Sequence, residues 1–313
     1  MEPFTLTRLA CRAMGTRFEL VLYGAEAVRL RAAGEEALAE IERLDAQLSL
    51  YHPPSELRGL NARAAREPVA LEPRFFRLLQ QAKQLGTETE GAFDLTVAPL
   101  LECWGFQGGT GAYPDPATVE AVRGRVGWSL LELDESNLTV RFRSPGVRLD
   151  LGAIGKGYAL ERAAAILRDH GVRRALLHGG TSSVYGLGAP PGALAWEVAI
   201  DHPCRPGAPL ARVALRDQAL SVSAVTGKFF LWEGQRFGHI VDPRTGWPVR
   251  ETLLAAVVLP SPTVAEAWST ALLVLGPEGL ARLRERRPEA QAWVASSGPE
   301  GTELRVERIG LEG

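Results

Sequence analysis

The sequence has few of the residues from which disulfide frameworks, metal clusters and nucleic-acid-binding surfaces are built. Among its 313 residues are only three cysteines, Cys11, Cys103 and Cys204, so neither a disulfide scaffold nor a zinc site is expected. Lysine is also scarce and occurs only as Lys83, Lys156 and Lys228, which makes the setting of each lysine informative. The formal net charge of −2 gives no electrostatic reason to expect a nucleic-acid partner.

Long apolar runs are missing as well. Nothing approaches 18 consecutive apolar residues, so no transmembrane segment is expected. The first residues, "MEPFTLTRLACRAMG", have no basic region and too short an apolar stretch for a secretory signal, which also disfavours a lipoprotein role for Cys11. We therefore expect a cytoplasmic protein, unless a leader was removed before residue 1.

The hydrophobic pattern predicts an α+β fold. Hydrophobic residues make up 46% of the chain, enough for one large domain or two closely joined lobes. Helical spacing occurs at 26–48, 73–85, 156–169, 263–275 and 276–287, and residues 105–118 are typical of a loop. Strand-like runs occur at 16–23, 128–133, 137–142, 147–151, 173–180, 195–201, 211–216, 237–242, 253–259, 290–296 and 303–309. The order is too irregular for a doubly wound parallel sheet, so we expect a mixed sheet core with flanking helices.

The segment "LDLGAIGKGYALERAAAIL" (149–167) is the most informative. A predicted buried strand leads into three glycines, with Lys156 at the start of an amphipathic helix. Glycines let backbone N–H groups approach a ligand, and a helix N-terminus favours an anion. The spacing matches neither a Walker loop nor a Rossmann fingerprint. The alternative is a glycine-rich turn with an exposed lysine.

Two other segments could also contact a ligand. "LLHGGTSSVYGLG" (176–188) has a Gly-Gly turn before small hydroxyl residues, which fits either a phosphate contact or a tight hairpin. "VAEAWSTAL" (264–272) places Glu266 and Thr270 on one face of a predicted helix that has a threonine as its candidate cap. Their oxygens could bind Mg²⁺, whereas the alternative is an exposed glutamate beside a helix-internal threonine.

Aromatic residues stand near small polar ones at 48–61 and 91–106. Tyr51, Trp104 and Phe106 could belong to the core or form a wall of a flat ligand's pocket, beside Asp94 and Thr96. Further along, "GHIVDPRTGWPVR" (238–250) reads first as a turn. Such a turn could also hold His239 rigidly.

Taken in order, "MGT", "LSLYHPPSEL", "GAFDLTVAPL…WGF", "GAIGKGYA", "HGG", "HIVDPRTGWP" and "AEAWSTALLVLG" resemble the ApbE-like FAD:protein FMN transferases. The resemblance runs from about residue 13 to 276. It implies a single ApbE-like flavin transferase domain over 1–313, with FAD held between two lobes. It also implies Mg²⁺-dependent transfer of FMN from FAD to a threonine or serine of an acceptor flavoprotein, releasing AMP.

The resemblance also implies roles for individual residues. His239 takes the proton from the acceptor hydroxyl, and the Ala153 carbonyl, Glu266 and Thr270 hold Mg²⁺. The residues implied to contact FAD are Met14, Ser49, Leu50, Tyr51, Asp94, Thr96, Trp104, Phe106, Lys156, Gly179, Gly180, Ser223, Asp242 and Thr245.

The chain departs from the family pattern at several positions. Glutamate stands at 266 and 161 where the family has aspartate, and the family's "GGD" ends here in Thr181. The family's "TSG" is Val222-Ser223-Ala224. Two alternatives therefore stand beside the transferase: a FAD-binding homologue without activity, and a Mg²⁺-dependent FAD pyrophosphatase that yields FMN and AMP.

Overall fold

The structure is a computed structural model that describes residues 4–298 and 303–310. Its α-helices are α1 (Ala27–Leu48), α2 (Glu56–Arg63), α3 (Pro73–Glu88), α4 (Ala98–Cys103), α5 (Pro116–Arg123), α6 (Gly155–Asp169), α7 (Pro262–Leu275) and α8 (Gly279–Arg286). Short 3₁₀ helices occur at Leu95–Val97, Trp128–Leu130 and Gly276–Glu278. Within this part of the chain, no helix is both long and apolar enough to cross a membrane.

An eight-stranded sheet forms the centre of the molecule. Its strands, in spatial order, are β1 (Thr5–Ala13), β2 (Thr16–Gly24), β6 (Arg174–Gly179), β7 (Ser183–Leu187), β10 (Gln218–Ala224), β13 (Thr252–Leu259), β14 (Gln291–Ser297) and β15 (Leu304–Ile309). All of its pairings are antiparallel. The predicted α+β class with flanking helices is confirmed, and the strand directions are antiparallel rather than mixed.

The described residues also form three smaller sheets. Their strands are β3 (Val69–Ala70), β4 (Leu131–Asp134) and β5 (Thr139–Phe142); β8 (Trp196–Asp201) and β9 (Pro209–Leu215); and β11 (Phe229–Trp232) and β12 (Gln235–Gly238). The β11–β12 pair becomes important below because it ends beside His239.

The central sheet is covered on both faces, which explains why β13 is apolar from residue 253 to residue 259. Alternate residues of a strand point to opposite faces. On one face Ala255 and Val257 join the large core that includes α1, α6 and α7. On the other face Ala256 and Val258 join a second core with residues of the β8–β9 hairpin. The sheet therefore fixes the starts of α6 and α7 relative to the end of β10.

Three local predictions are wrong. Residues 147–151 are not a strand, because their backbone bonds to distant segments rather than to a neighbouring strand: Leu149 N–H donates to the Asn61 side chain and Asp150 N–H to the Leu95 carbonyl. The strand predicted at 237–242 ends at Gly238. Helix α7 is capped by Ser261 rather than a threonine, since the Ser261 hydroxyl accepts from Val264 N–H.

Candidate active site

A cavity of about 1060 Å³ opens where the end of α1, the start of α6, the end of β10 and α7 meet. This volume is at the upper end of the range for small-molecule sites. Twelve of the predicted site residues line it: Met14, Ser49, Leu50, Tyr51, Asp94, Phe106, Ala153, Lys156, Ser223, His239, Glu266 and Thr270. These residues lie far apart in the sequence, and the fold brings them to one place.

Six predicted contact residues are not in the cavity wall: Thr96, Trp104, Gly179, Gly180, Asp242 and Thr245. Gly179 ends β6, and Gly180 adopts φ +70° in the tight turn to β7. The Gly-Gly segment is therefore a hairpin turn, and the residues after it, Thr181 and Ser182, reach the cavity.

Glu266 is the most buried acidic group in the cavity wall. It is only 3% exposed, although it projects from α7 as predicted. One carboxylate oxygen forms an ion pair with Lys156, and the other accepts a hydrogen bond of 2.5 Å from Gly157 N–H. Because α6 begins at Gly155, that N–H is one of the unpaired donors of a helix N-terminus. The anion at the start of α6 is thus supplied by α7.

Gly157 makes this contact possible because it has no side chain. A Cβ at this position would lie 2.3 Å from the Pro262 carbonyl oxygen and 3.1 Å from the Glu266 Cβ. A side chain would therefore push the starts of α6 and α7 apart. At Gly155, by contrast, the nearest atom to an added Cβ is the Met14 Sδ at 3.8 Å, an ordinary contact.

A chain of hydroxyl groups leads to Thr270. Ser221 Oγ lies 3.1 Å from Ser269 Oγ, which lies 2.9 Å from Ser223 Oγ. Ser223 Oγ is in turn 3.3 Å from Thr270 Oγ1. Ser269 also donates to the Glu266 carbonyl at 3.0 Å, so it is anchored within α7. These contacts hold Thr270 beside Ser223, the only hydroxyl in Val222-Ser223-Ala224.

The oxygen donors fit a hard cation. In the described part of the chain, no three His, Cys, Asp or Glu side chains group together as a metal cluster. The Ala153 carbonyl, the Glu266 carboxylate and the Thr270 hydroxyl nevertheless all line the cavity. Mg²⁺ takes oxygen ligands, needs only one or two carboxylates from protein, and fills its remaining positions with water or substrate phosphate.

His239 lies at the end of β12, on the cavity wall. Its backbone N–H donates to the Lys228 carbonyl at 3.0 Å, and Nδ1 lies 3.1 Å from the same oxygen. Since a carbonyl only accepts, Nδ1 carries the proton and Nε2 keeps its lone pair. Burial lowers the pKa of His239 below 6.5, assisted by the positive charges of Lys228 and Lys156. The imidazole is therefore neutral at pH 7 and can accept a proton.

Two neighbours help to place the imidazole. Gly227 lets it approach the chain, because a Cβ there would lie 2.9 Å from His239 Cε1. The turn after His239 is held by Asp242, whose carbonyl accepts from Gly246 N–H at 2.8 Å and whose carboxylate binds Arg244. The predicted tight turn is confirmed, and its polar groups serve the turn itself.

Trp104 supports the same turn from inside. It is fully buried, and its indole N–H donates to the Gly246 carbonyl at 2.8 Å. Its ring stacks on Phe237 with centroids 5.6 Å apart. Trp104 therefore belongs to the core behind the cavity, while Phe106 lies in the cavity wall with its ring steeply inclined to that of His239, 6.5 Å between centroids.

Asp94 and Thr96 form a buried pair at the other side of the cavity. Asp94 Oδ1 accepts from both the N–H and the hydroxyl of Thr96, at 2.8 and 2.7 Å. The hydroxyl oxygen of Thr96 also accepts from Gly127 N–H, and Thr96 does not line the cavity. Burial raises the pKa of Asp94 to about 6, against the lowering effect of these hydrogen bonds.

The N-terminal part of the cavity wall comes from turns. Met14 and Gly15 both have positive φ, 50° and 69°, and close the β1–β2 hairpin as the two central residues of a type I′ turn require. Ser49 Oγ accepts from Tyr51 N–H at 3.0 Å, just after α1 ends. This contact shapes the loop that brings Leu50 and Tyr51 to the cavity.

Sequence reasoning missed several cavity residues. Asp150 binds Gly152 N–H at 2.7 Å and the Gln107 side chain at 2.9 Å. Its position next to the glycine-rich segment was the available signal. Lys228 and His202 also line the cavity, but they come from connections whose course the sequence pattern does not indicate.

Comparison with known proteins places this arrangement among flavin transferases. The model of the ApbE family matches residues 14–294. A FAD:protein FMN transferase of Klebsiella pneumoniae strain 342 is 31% identical over 279 residues, covering 86% of this chain and 85% of the relative. One from Rhodobacter capsulatus is 34% identical over 274 residues, covering 86% of this chain and 51% of the relative.

Solved structures give the same result for the fold. The ApbE protein of Thermotoga maritima superposes with a TM-score of 0.87 at 27% identity, covering 96% of both chains. The apo flavinyl transferase ApbE of Pseudomonas stutzeri superposes with a TM-score of 0.85 at 27% identity, covering 98% of this chain and 95% of that one.

Proposed function

The chain belongs to the ApbE family, and we propose that it transfers FMN from FAD to a threonine or serine hydroxyl of an acceptor protein, with Mg²⁺ bound and AMP released. The relatives named FAD:protein FMN transferase support the overall reaction. We propose further that residues 1–313 act as one catalytic domain, with FAD in the cavity described above.

The position of His239 carries this proposal. Its Nδ1 is occupied by the Lys228 carbonyl, so Nε2 is the nitrogen left to accept a proton in the cavity. A neutral imidazole beside a phosphoryl-transfer site suits removal of a proton from a hydroxyl, an effect worth about 10²–10⁴-fold in rate. We assign His239 as the general base.

The reaction balances with these groups. The acceptor oxygen forms a bond to the phosphorus of the FMN half, and its proton passes to His239 Nε2. The bond between that phosphorus and the oxygen bridging to AMP breaks, and AMP leaves with the bridging oxygen. The protein has little covalent chemistry to perform, so positioning and charge neutralisation must account for the remaining rate enhancement.

Other residues of the cavity wall are suited to bind the phosphates of FAD. The Ala153 carbonyl, Glu266 and Thr270 would hold Mg²⁺, which when bound neutralises charge on the phosphate oxygens. Lys156 adds a second positive charge at the same place. The flavin and adenine contacts are assigned to the residues that line the cavity, namely Met14, Ser49, Leu50, Tyr51, Asp94, Phe106 and Ser223.

One observation favours the alternative of a FAD-binding protein without activity. Lys156 is paired with Glu266, so an ammonium group already neutralises the carboxylate assigned to Mg²⁺. The assay must therefore distinguish transfer from binding alone.

The test incubates the full chain with FAD, Mg²⁺ and a panel of threonine-bearing acceptor domains, and follows AMP together with acceptor mass. Transfer predicts AMP and a mass gain of FMN less one water on the acceptor. A matched acceptor with threonine replaced by valine should gain nothing. AMP without a mass gain would indicate a FAD pyrophosphatase, and bound FAD without AMP would indicate the inactive homologue.

A further inference from the structure

Large apolar side chains are exposed on the β11–β12 hairpin, immediately next to His239. Leu231, Phe229 and Trp232 are 66%, 47% and 46% exposed, and Tyr113 beside them is also exposed. Isolated exposed apolar residues are ordinary, but a contiguous group marks an interaction surface. We call the group formed by Phe229, Leu231 and Arg236 the hairpin face.

The hairpin is firmly built, so this exposure does not come from a loose loop. Glu233 and Gly234 both have positive φ and close the hairpin with a two-residue turn of type I′. Phe230 points inward and stacks on Phe237 with centroids 5.5 Å apart. At the tip, Trp232 stacks on Tyr113 with nearly parallel rings 5.6 Å apart.

The residues of the hairpin face share one side of the strands. Phe229 and Leu231 are two apart on β11, and Arg236 is the cross-strand partner of Leu231. The Arg236 guanidinium lies 3.7 Å from the centre of the Phe229 ring. The hairpin face is therefore an apolar surface with the positive charge of Arg236 above it.

The hairpin face is continuous with the candidate active site. Lys228 precedes β11 and lines the cavity, and its carbonyl holds both the backbone and Nδ1 of His239. Inside the hairpin, Phe230 contacts Phe106 of the cavity wall at 5.6 Å between centroids. A polypeptide whose hydroxyl reaches His239 must therefore pass close to this hairpin.

The charge of the hairpin restricts which polypeptide fits. Residues 228–238 contain Lys228 and Arg236 against one acid, Glu233. Arg250 contacts Gln235 and the Phe237 ring on the opposite side of the strands, so Arg236 provides the positive charge of the hairpin face itself. A partner that carries apolar side chains together with carboxylates complements this surface, and a basic partner is repelled.

We propose that the hairpin face docks the acceptor protein, by binding apolar and acidic side chains that flank the threonine or serine to be modified. The proposal rests on the proposed function for the identity of the partner. Its physical basis is the exposed apolar group, its positive charge and its direct connection to His239.

The test measures binding, so that it does not depend on catalysis. Three fluorescent peptides with a central threonine serve as probes, with flanks that are apolar and acidic, apolar and basic, or Gly/Ser only. The full chain should bind the first peptide at least about tenfold more tightly than the other two, a difference of about 1.4 kcal/mol. Leu231→Asp should weaken that binding by about tenfold and leave FAD affinity unchanged.

Val28→Asp is the matched control, since Val28 is 81% exposed at the start of α1 and lies outside the hairpin. It should bind the first peptide as the wild type does. Equal affinity for all three peptides, or unchanged binding by Leu231→Asp, would overturn the proposal. So would a Leu231→Asp variant that only dissociates a dimer, because the face would then join two copies.

The two proposals fail in different ways. Selective peptide binding with no AMP and no mass gain on any acceptor would count against FMN transfer while supporting the docking face. FMN transfer that is unaffected by Leu231→Asp would support the enzyme and reject the docking face.

Discussion

The Gly157 N–H donates a hydrogen bond to the Glu266 carboxylate across 2.5 Å, joining residues that are 109 positions apart. This bond fixes the start of α6 against α7. It also directs the carboxylate toward the cavity that contains His239. The absence of a side chain at Gly157 allows this close approach, because a Cβ there would lie 2.3 Å from the Pro262 carbonyl oxygen and 3.1 Å from the Glu266 Cβ.

Gly157→Ala should therefore separate the two helices. Its Cβ would lie 2.3 Å from the Pro262 carbonyl, and overpacking of this kind costs about 1–3 kcal/mol of folding free energy. Denaturant unfolding measures the change. Gly155→Ala is the control and should be at least as stable as the wild type, because an added Cβ there meets only Met14 Sδ at 3.8 Å and alanine favours a helix over glycine. Equal stability of the two variants would contradict this packing.

Lys156→Met should make the protein depend on Mg²⁺ for stability. Loss of the ammonium leaves the buried Glu266 carboxylate without its cation, which should lower the free energy of unfolding by about 3 kcal/mol. This value is the lower end of the range for breaking a buried ion pair, because Lys156 is partly exposed. Mg²⁺ at about a hundred times its Kd should restore about 2.7 kcal/mol. Thermal unfolding with and without Mg²⁺ measures this.

Lys83→Met is the matched control for that experiment. Lys83 donates to the Leu131 carbonyl at 3.4 Å, far from Glu266 in sequence and outside the cavity wall. Its stability should not respond to Mg²⁺ more than that of the wild type. A response of equal size in the two variants would show that Lys156 does not compete with Mg²⁺ for Glu266.

The rate of FMN transfer should fall on the acid side of neutrality. Burial lowers the pKa of His239 below 6.5, so the neutral base is present at pH 7 and is lost only as the pH falls through that pKa. We expect kcat/KM to be flat near neutrality and to decline below pH 6.5 with a slope of one proton. A decline that begins above pH 6.5 would contradict the assignment.

Asp94 must be separated from this effect, since its pKa is raised to about 6. Asp94→Asn should retain the acid decline if His239 is the titrating group. Loss of the decline in that variant would assign it to Asp94.

The sequence pattern predicted the elements in which apolar residues recur at regular helical spacing. The helices α1, α3, α6 and α7 begin and end within a few residues of the predicted bounds, because their apolar faces pack into the large core. The apolar run at 147–151 was predicted as a strand, but such a run is equally typical of a buried connection, and the sequence pattern does not distinguish the two. Their hydrogen bonds to Asn61 and Leu95 come from distant segments and leave no periodic signal.

For the candidate site too, the sequence identified some residues but not the contacts between them. Motif order was sufficient to select His239 and Glu266, which lie in the cavity wall. It could not show that Lys228 fixes the His239 tautomer, or that Lys156 pairs with Glu266, since these contacts depend on tertiary packing. Trp104 was predicted to contact FAD but lies in the core, because an aromatic residue of the core and one that contacts a ligand have the same sequence signature.

The intact mass of an acceptor domain tests the central claim most directly, after incubation with FAD, Mg²⁺ and either the wild type or His239→Ala. The account predicts that the wild type adds the mass of FMN less one water to the threonine-bearing acceptor. His239→Ala should add none at the same time point while binding FAD within about twofold of the wild-type affinity, a difference well below 1.4 kcal/mol. Acceptor modification by His239→Ala at the wild-type rate, or an unmodified acceptor with the wild type, would contradict it.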